Sequence, residues 1–324
     1  MMLNDLATSL REFEGVRRKR AIEALVRWFA CPSNAILASF GEDAAVIDHG
    51  EEALLIAADG IWSKVMDADP YWAGYCSVLV NIHDIAAMGG QPVAMVNVFS
   101  GGKRICDSVA KGMSEAAQKF DIPMVGGHIH PDASYNAIDV SIVGTVKKDS
   151  VIYSHTANMG DDIIVGIDLE GRIHPSCELN WDSTTDKDTS TLRAQIGSMQ
   201  VLGESHLVTA GKDISNPGML GTLGMLLEMS SKGAIVDLKA IPKPPEISME
   251  HWLKVYPGMG FIVTARPKNT DEITATFEEH RLSASVIGKI AKGSKLEITD
   301  GDEYATIFDF RKDKITGLRR ADHG

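Results

Sequence analysis

Asn81-Ile82-His83-Asp84-Ile85-Ala86-Ala87-Met88-Gly89-Gly90-Gln91-Pro92 decides how this chain is read. Val78, Ile82, Ile85 and Met88 recur at helical spacing, so residues 74–88 read as a helix. Gly89-Gly90 falls at the expected C-terminal stop, and Pro92 seals it. Residues 93–99 then read as an apolar strand. On the helix Asn81 and Asp84 are three apart, so an amide and a carboxylate share one face.

Outward from this segment the same alternation continues. Ile105, Val109, Met113, Ala116 and Phe120 mark a second amphipathic helix over 105–120, and residues 139–146 alternate as a strand. Residues 44–47 and 53–58 read as two strands joined at Asp48-His49-Gly50, a hairpin signal. Residues 3–30 read as one or two amphipathic helices through Leu10, Phe13, Arg17, Ala21, Leu25 and Trp28, stopped by Cys31-Pro32-Ser33-Asn34. A strand restarts at 163–167 after a polar turn, which sets a boundary near residue 150 and two units, 1–149 and 150–324. The second unit reads as a long polar loop over 171–190, helices over 190–203 and 218–231, and a Pro-rich linker over 242–250. Strand-like pieces follow at 261–264, 285–290 and 296–298, then a polar, frayed tail after Phe310. The methionine-bearing stretch from Met219 to Met229 reads as core packing. Strands and helices mixed in two halves imply two α/β or α+β domains.

The bulk properties agree with a globular enzyme-sized chain. Its 324 residues are 44% hydrophobic and 23% charged, with a net charge of −12. An acidic surface argues against nucleic acid as a partner. The one basic run, Arg17-Arg18-Lys19-Arg20, reads as a solvated helix face. Four cysteines with no CxxC pair fit neither a disulfide framework nor a closed zinc site, and a reducing cytoplasm is the expected compartment. No signal peptide or membrane span is expected.

Four acidic positions stand beside glycine at the ends of elements: Asp43 in Gly41-Glu42-Asp43-Ala44, Asp59 in Ala58-Asp59-Gly60, Asp84 in the opening segment, and Asp213 in Gly211-Lys212-Asp213-Ile214-Ser215-Asn216. Singly, each reads as a turn residue. Together they suit a hard cation such as magnesium, which takes oxygen ligands and leaves room for water and phosphate.

These motifs, in this order, resemble the aminoimidazole-ribonucleotide-synthetase-like superfamily over roughly residues 38–300. Glu42-Asp43-Ala44-Ala45-Val46 is similar to the "GDDAAV" segment of thiamine monophosphate kinase and of the carbamoyl-dehydrating hydrogenase-maturation protein. Asp84 to Pro92 resembles the synthetase's own signature, Gly126-Gly127-His128 stands at the "GGD" element, and Asp213-Ile214-Ser215-Asn216 resembles the kinase's "D-[IV]-S-D". The nearest likeness within the superfamily is to the archaeal group called methanogenesis marker protein 2. The resemblance implies a two-domain fold, with N-terminal halves pairing into a shared β-barrel in a homodimer and an α/β second domain. It also implies ATP and Mg2+ as cofactors and a small molecule as substrate. Asp43, Asp59, Asp84 and Asp213 would hold metal. Asn81, Gly89, Gly90, Gly126, Gly127 and Lys212 would join Asp43, Asp59 and Asp84 around the nucleotide, and Asp213 and His128 would be catalytic.

The departures shape the expected activity. His128 replaces an aspartate, as a softer ligand or a hydrogen-bond donor, and Asn216 replaces a second aspartate, which speaks against phosphorylating thiamine phosphate. The chain ends Ala321-Asp322-His323-Gly324, without the maturation protein's terminal cysteine, and no reactive cysteine precedes Gly41 as selenophosphate synthesis would need. His128 and His130 form a pair able to take a transition metal, against the plainer reading of a polar rim. His174, Cys177, Asn180, Trp181 and Asp182 are read as contacts to a second substrate, against a surface loop with a packing tryptophan; Cys177 lacks a visible base. Lys212 reads either as a phosphate ligand or as an exposed lysine. The expected activity is Mg-ATP-dependent phosphorylation or activation of an oxygen. The alternatives are an ATP-binding maturation or scaffold protein of methanogenesis, or a nucleotide-sensing regulator.

Overall fold

A computed structural model describes residues 2–29, 33–258 and 260–319. Two mixed sheets carry the chain. The first has six strands in the order Ile36–Ala38, Ala45–His49, Glu52–Gly60, Ala137–Lys147, Gln91–Ser100, Met124–His130. Ala45–His49 and Glu52–Gly60 form the expected antiparallel hairpin. Gln91–Ser100 and Met124–His130 run parallel, which requires a crossover, and the helix Lys103–Phe120 supplies it. That helix packs on Pro70–Ala87 so closely that a Cβ on Gly112 would lie 1.9 Å from the Tyr71 carbonyl oxygen, and one on Gly74 would lie 2.1 Å from that of Val109. Glycine is what lets the two helices touch there. The sheet buries one face against these helices, while Ile56, Val96, Val98, Val125 and Ile129 are exposed.

The second sheet has seven strands in the order Ala210–Asp213, Gly260–Ala265, Asp162–Ile167, Ser283–Ala291, Gly233–Asp237, Lys295–Thr299, Tyr304–Asp309. Asp162–Ile167 and Gly260–Ala265 are buried throughout, as strands covered on both faces should be. One cover is the core shared with the first half, where Ile164, Phe261 and Phe277 meet Leu79, Ile82 and Ile85. The other is Gly218–Ser230, a helix buried on every side, which accords with the core reading of its methionines.

Several expectations are corrected. The N-terminal pattern does not make one or two continuous helices but three short ones, Leu3–Arg11, Glu14–Lys19 and Ile22–Val26. Leu3, Leu6, Ala7 and Leu10 pack into the second half's core, whereas Leu25 is exposed and Trp28 is 86% exposed. The Cys31-Pro32 stop lies outside the described residues. The stretch 171–190 is not an unstructured loop: Arg172–His174 and Cys177–Asp182 pair as a hairpin. Its cause is the burial of Trp181, whose indole N–H donates to the Asp168 carbonyl at 2.9 Å, and of Asn180, whose Oδ1 accepts from the Trp72 indole at 2.8 Å. Nor is the tail frayed up to residue 319. Ile315 and Leu318 are buried, and the Glu228 carboxylate accepts from the backbone N–H of Ile315 at 3.2 Å, Thr316 at 2.8 Å and Gly317 at 3.3 Å.

Glu228→Ala leaves those N–H groups without an acceptor, at a cost of about 1–3 kcal/mol for each that water does not reach. We expect urea unfolding to show a loss of about 3 kcal/mol, with new protease cleavage after Phe310. A variant within about 0.5 kcal/mol of the parent would mean that the apolar residues alone hold the tail.

Candidate functional site

Three carboxylates from distant points of the chain meet. Asp43 follows a turn in which Gly41 takes φ +99°, and a Cβ there would strike Met229 Sδ at 2.4 Å, so a glycine is needed for this loop to lie on the second half. Asp84 projects from the last turn of Pro70–Ala87, and Asp213 ends the strand Ala210–Asp213. One oxygen from each of the three lies within 4.8 Å of the others. Lys212 does not stand in solvent: it is buried, and its ammonium donates to Asp43 Oδ1 and, at 3.4 Å, to the Gly41 carbonyl. Asp43 Oδ2 is buried with no hydrogen-bond partner.

Three close acids, Asp213 buried and Asp43 and Asp84 half-buried, against one lysine leave excess negative charge. Burial pushes the Asp84 carboxyl well above its ordinary value, and the charges of Asp213, Asp59 and Asp43 push it further. Burial, then Asp43, pushes Asp213 up to about 8. Burial raises Asp43 too, and Lys212 opposes that rise. The cluster therefore holds protons near neutrality. A hard divalent cation relieves both the repulsion and the unpartnered Asp43 oxygen, and an all-carboxylate set fits magnesium rather than a softer metal.

Around the cluster the sequence-derived residues divide. Asp59 is the penultimate residue of the strand Glu52–Gly60 and lines, with Asp213, a cavity between the two halves. Solvent reaches Asp59, yet the packed wall beside its carboxylate raises it, and Lys19 opposes the rise more than any other charge. Asn81 is fully buried, with Nδ2 donating to the Ser77 carbonyl at 2.8 Å and its Oδ1 unpartnered. Gly89 and Gly90 are not brought to the carboxylates: they are buried at the helix end, where a Cβ on Gly90 would meet Leu55 at 2.3 Å. Gly126, Gly127 and His128 stand on the exposed edge strand. His128 pairs with Val98, Val98 with Asp139, and Asp139 with Gly60, so three strand spacings, about 14 Å, separate His128 from the acidic side within one chain. His128 and His130 share a face with ring centroids 4.7 Å apart, but among the described residues no further metal-ligating side chain joins them.

In the hairpin, Cys177 is pushed up to about 11 by burial and by Asp69, which keeps it a thiol and a poor nucleophile at neutral pH. His174 stacks on Trp72 at 4.5 Å. Two features escaped the sequence reading. Glu42 turns away from Asp43 and ties the halves together, accepting from the Ser154 N–H at 2.6 Å and meeting His155 Nδ1 at 2.5 Å. Burial alone would raise the Glu42 carboxyl, but these bonds and Lys212 hold it below its ordinary value. The basic run is not only a solvated face, since Arg18 and Lys19 line the cavity beside Asp59.

The AIR synthase related protein N-terminal domain matches residues 41–146, and the corresponding C-terminal domain matches 160–301. The chain belongs to the AIR synthase related protein family. An uncharacterized protein of Methanocaldococcus jannaschii is 50% identical to it over 98% of this chain and 100% of that protein. T. maritima PurL complexed with AMPPCP superposes with a TM-score of 0.77 at 17% identity, over 99% of this chain and 52% of that one. AaThiL complexed with AMPPCP and TMP superposes at 0.66 and 17% identity, over 89% of this chain and 96% of that one. At these identities the structures share the fold, and the chain spans about half the length of PurL. The family's two-domain mixed α/β architecture is the one described above. Among the described residues no helix is long and apolar enough to cross a membrane.

The raised Asp213 carboxyl has a pH signature. It titrates near 8 when folded and near 3.8 when unfolded, so folding takes up a proton between those values. Its contribution to stability is complete below the lower value and is lost as pH rises through the higher one. We expect the wild type to fall progressively below Asp213→Asn in melting temperature between about pH 5 and 9, and added magnesium to narrow the gap. A constant difference across that range would show that Asp213 is not held protonated.

Proposed function

We propose that this chain binds Mg-ATP where its halves meet and uses the terminal phosphoryl group to phosphorylate, or otherwise activate, an oxygen of a small molecule. The observation that carries this reading is the convergence of Asp43, Asp84 and Asp213 within 4.8 Å. Asp43 and Asp84 would hold the ion, Asp59 would stand at the mouth, and Asp213 would come from the second half as ligand or as the base that takes the acceptor's proton. A bound magnesium ion supplies neutralisation of phosphate charge. The chain's own part is to position reactants and exclude water, which is most of what phosphoryl transfer asks of a protein. Lys212 would orient Asp43, and Asn81 would offer its unpartnered oxygen at the same wall. The AMPPCP held by the PurL and AaThiL structures supports a nucleotide here. The division into 1–149 and 150–324 belongs to this reading, with the helix Leu3–Arg11 docked back onto the second unit.

We place the nucleotide beside a homodimer interface. Exposed Val96, Val98, Val125 and Ile129 form an apolar outer face next to an unpaired edge strand, the kind of surface a second copy covers. PurL, of which this chain spans 52%, is long enough to hold two such units. Pairing of this kind would let Gly126, Gly127 and His128 reach the partner copy's nucleotide. Replacing Val98 and Val125 together by lysine is expected to give a monomer in sedimentation; an unchanged dimer would move the interface elsewhere.

The reading is tested by calorimetric titration with AMPPCP. Binding is expected to require magnesium and to weaken at least tenfold, about 1.4 kcal/mol, in Asp84→Asn. Equal affinity in the variant would remove the nucleotide from this site. Tight binding with no ADP formed on any acceptor would favour a maturation or scaffold role.

A further inference from the structure

The cavity lined by Asp59 and Asp213 is also lined by two cations. Its volume is about 240 Å³, and its walls include Arg18, Lys19, Trp62, Asn180, Asn216 and Tyr256. That is below the roughly 300–1,000 Å³ of drug-sized ligand sites, so a whole nucleotide does not fit within it. The basic residues reach it because the start of the chain comes close to a loop of the second half: a Cβ on Gly15 would lie 2.1 Å from the Asn216 carbonyl oxygen, so the helix Glu14–Lys19 lies directly on the loop that follows Asp213. The Arg18 guanidinium sits 4.4 Å over the Trp62 ring, which fixes it by a cation–π contact while leaving its donors open. Neither Arg18 nor Lys19 has a carboxylate within ion-pair distance among the described residues. Asn216 Oδ1 is buried in the same wall without a partner.

A chain of net charge −12 has thus collected two cations without a direct ion pair among the described residues in the wall of a small cavity that Asp213 and Asp59 also line. With those acids occupied by a cation, as the proposed function requires, the charge left facing the cavity is positive. We propose that this cavity is the acceptor site, that the acceptor is a small anion carrying a phosphate or carboxylate group, and that Arg18 and Lys19 bind that group. Asn216 Oδ1 calls for a hydroxyl or N–H donor on the same molecule, because a buried acceptor without one is costly. The molecule would therefore carry its donor close to its anionic group, since Asn216 lies against the helix that bears Arg18 and Lys19. Trp62, with Arg18 and Lys64 over its ring, and Tyr256 complete the wall. This inference rests on the Mg-ATP reading for the identity of the cavity as an acceptor site, but its two cations are independent of it.

The test uses the full chain saturated with magnesium and AMPPCP, so that the terminal phosphate position is filled. Inorganic phosphate is titrated in one arm and glycerate in another, and binding is followed by calorimetry. The variant R18Q/K19Q is compared with R17Q/R20Q, which alters the same basic run at two positions that do not line the cavity. K19Q alone serves as a milder substitution should the first variant melt early. At least one probe is expected to bind the wild type and the control equally and to bind R18Q/K19Q and K19Q at least tenfold more weakly, with AMPPCP affinity unchanged in all; the arm that responds tells phosphate from carboxylate. Equal weakening in both double variants, no binding of either probe to the wild type, or loss of AMPPCP affinity in R18Q/K19Q would overturn the proposal, the last by assigning these cations to the nucleotide. Failure of the Mg-ATP reading looks different: AMPPCP does not bind the wild type, yet a probe still binds in a manner that depends on Arg18 and Lys19.

Discussion

Mutual repulsion among Asp43, Asp84 and Asp213 is the constraint around which the rest of this molecule is arranged. Like charges held within 4.8 Å in a largely desolvated setting stay there when protons, a counter-charge or a cation offset them. Lys212 offsets one charge. The remainder is stored as raised carboxyl pKa values, Asp213's to about 8. A protein does not keep such a cluster for stability, since apolar side chains in the same volume would fold more firmly. Such a cluster fits the hard cation that the proposed function assigns to it.

The fold serves that cluster by forcing two halves into close contact. Asp43 and Asp84 come from the first sheet and its helix, Asp213 from the edge of the second sheet, and the intervening core runs continuously from Leu79 and Ile82 to Phe261 and Phe277. Glu42 anchors the Asp43 loop to Ser154 and His155, so the first and third acids cannot drift apart independently. Gly15 against the Asn216 backbone is a close approach that a side chain would block. It brings the helix Glu14–Lys19 over the cavity, so residues from the start of the chain share a wall with residues far along it.

What was legible in the sequence follows from what is local. The helix ending at Gly89, the hairpin before Asp59 and the apolar helix after Pro217 declare themselves through periodicity and breakers, and Asp43, Asp84 and Asp213 stand out as acids at element ends. The strand Ala210–Asp213 carries no β-branched or aromatic residue and is a strand only because Gly260–Ala265 pairs with it. The polar stretch around Trp181 looks like a loop until the burial of that indole is known. The basic run reads only as a solvated face for a similar reason: charge patterning along a helix reports its own faces, whereas the place of Arg18 and Lys19 is set by Gly15 meeting a loop of the second half, far along the chain. His128 is the converse case, prominent as a motif yet three strands across the sheet, about 14 Å, from the strand that carries Asp59.

The central claim is that the buried acids hold protons which a magnesium–nucleotide complex displaces. It is tested most directly by measuring the heat of Mg-AMPPCP binding at pH 7 in two buffers of different ionisation enthalpy. Ligation by protonated carboxylates must release protons to the buffer. The heats should therefore differ in the sense of proton release for the wild type, and the difference should shrink in Asp213→Asn. Binding with identical heats in both buffers, or no binding at all, would contradict the assignment of Asp43, Asp84 and Asp213 as the site.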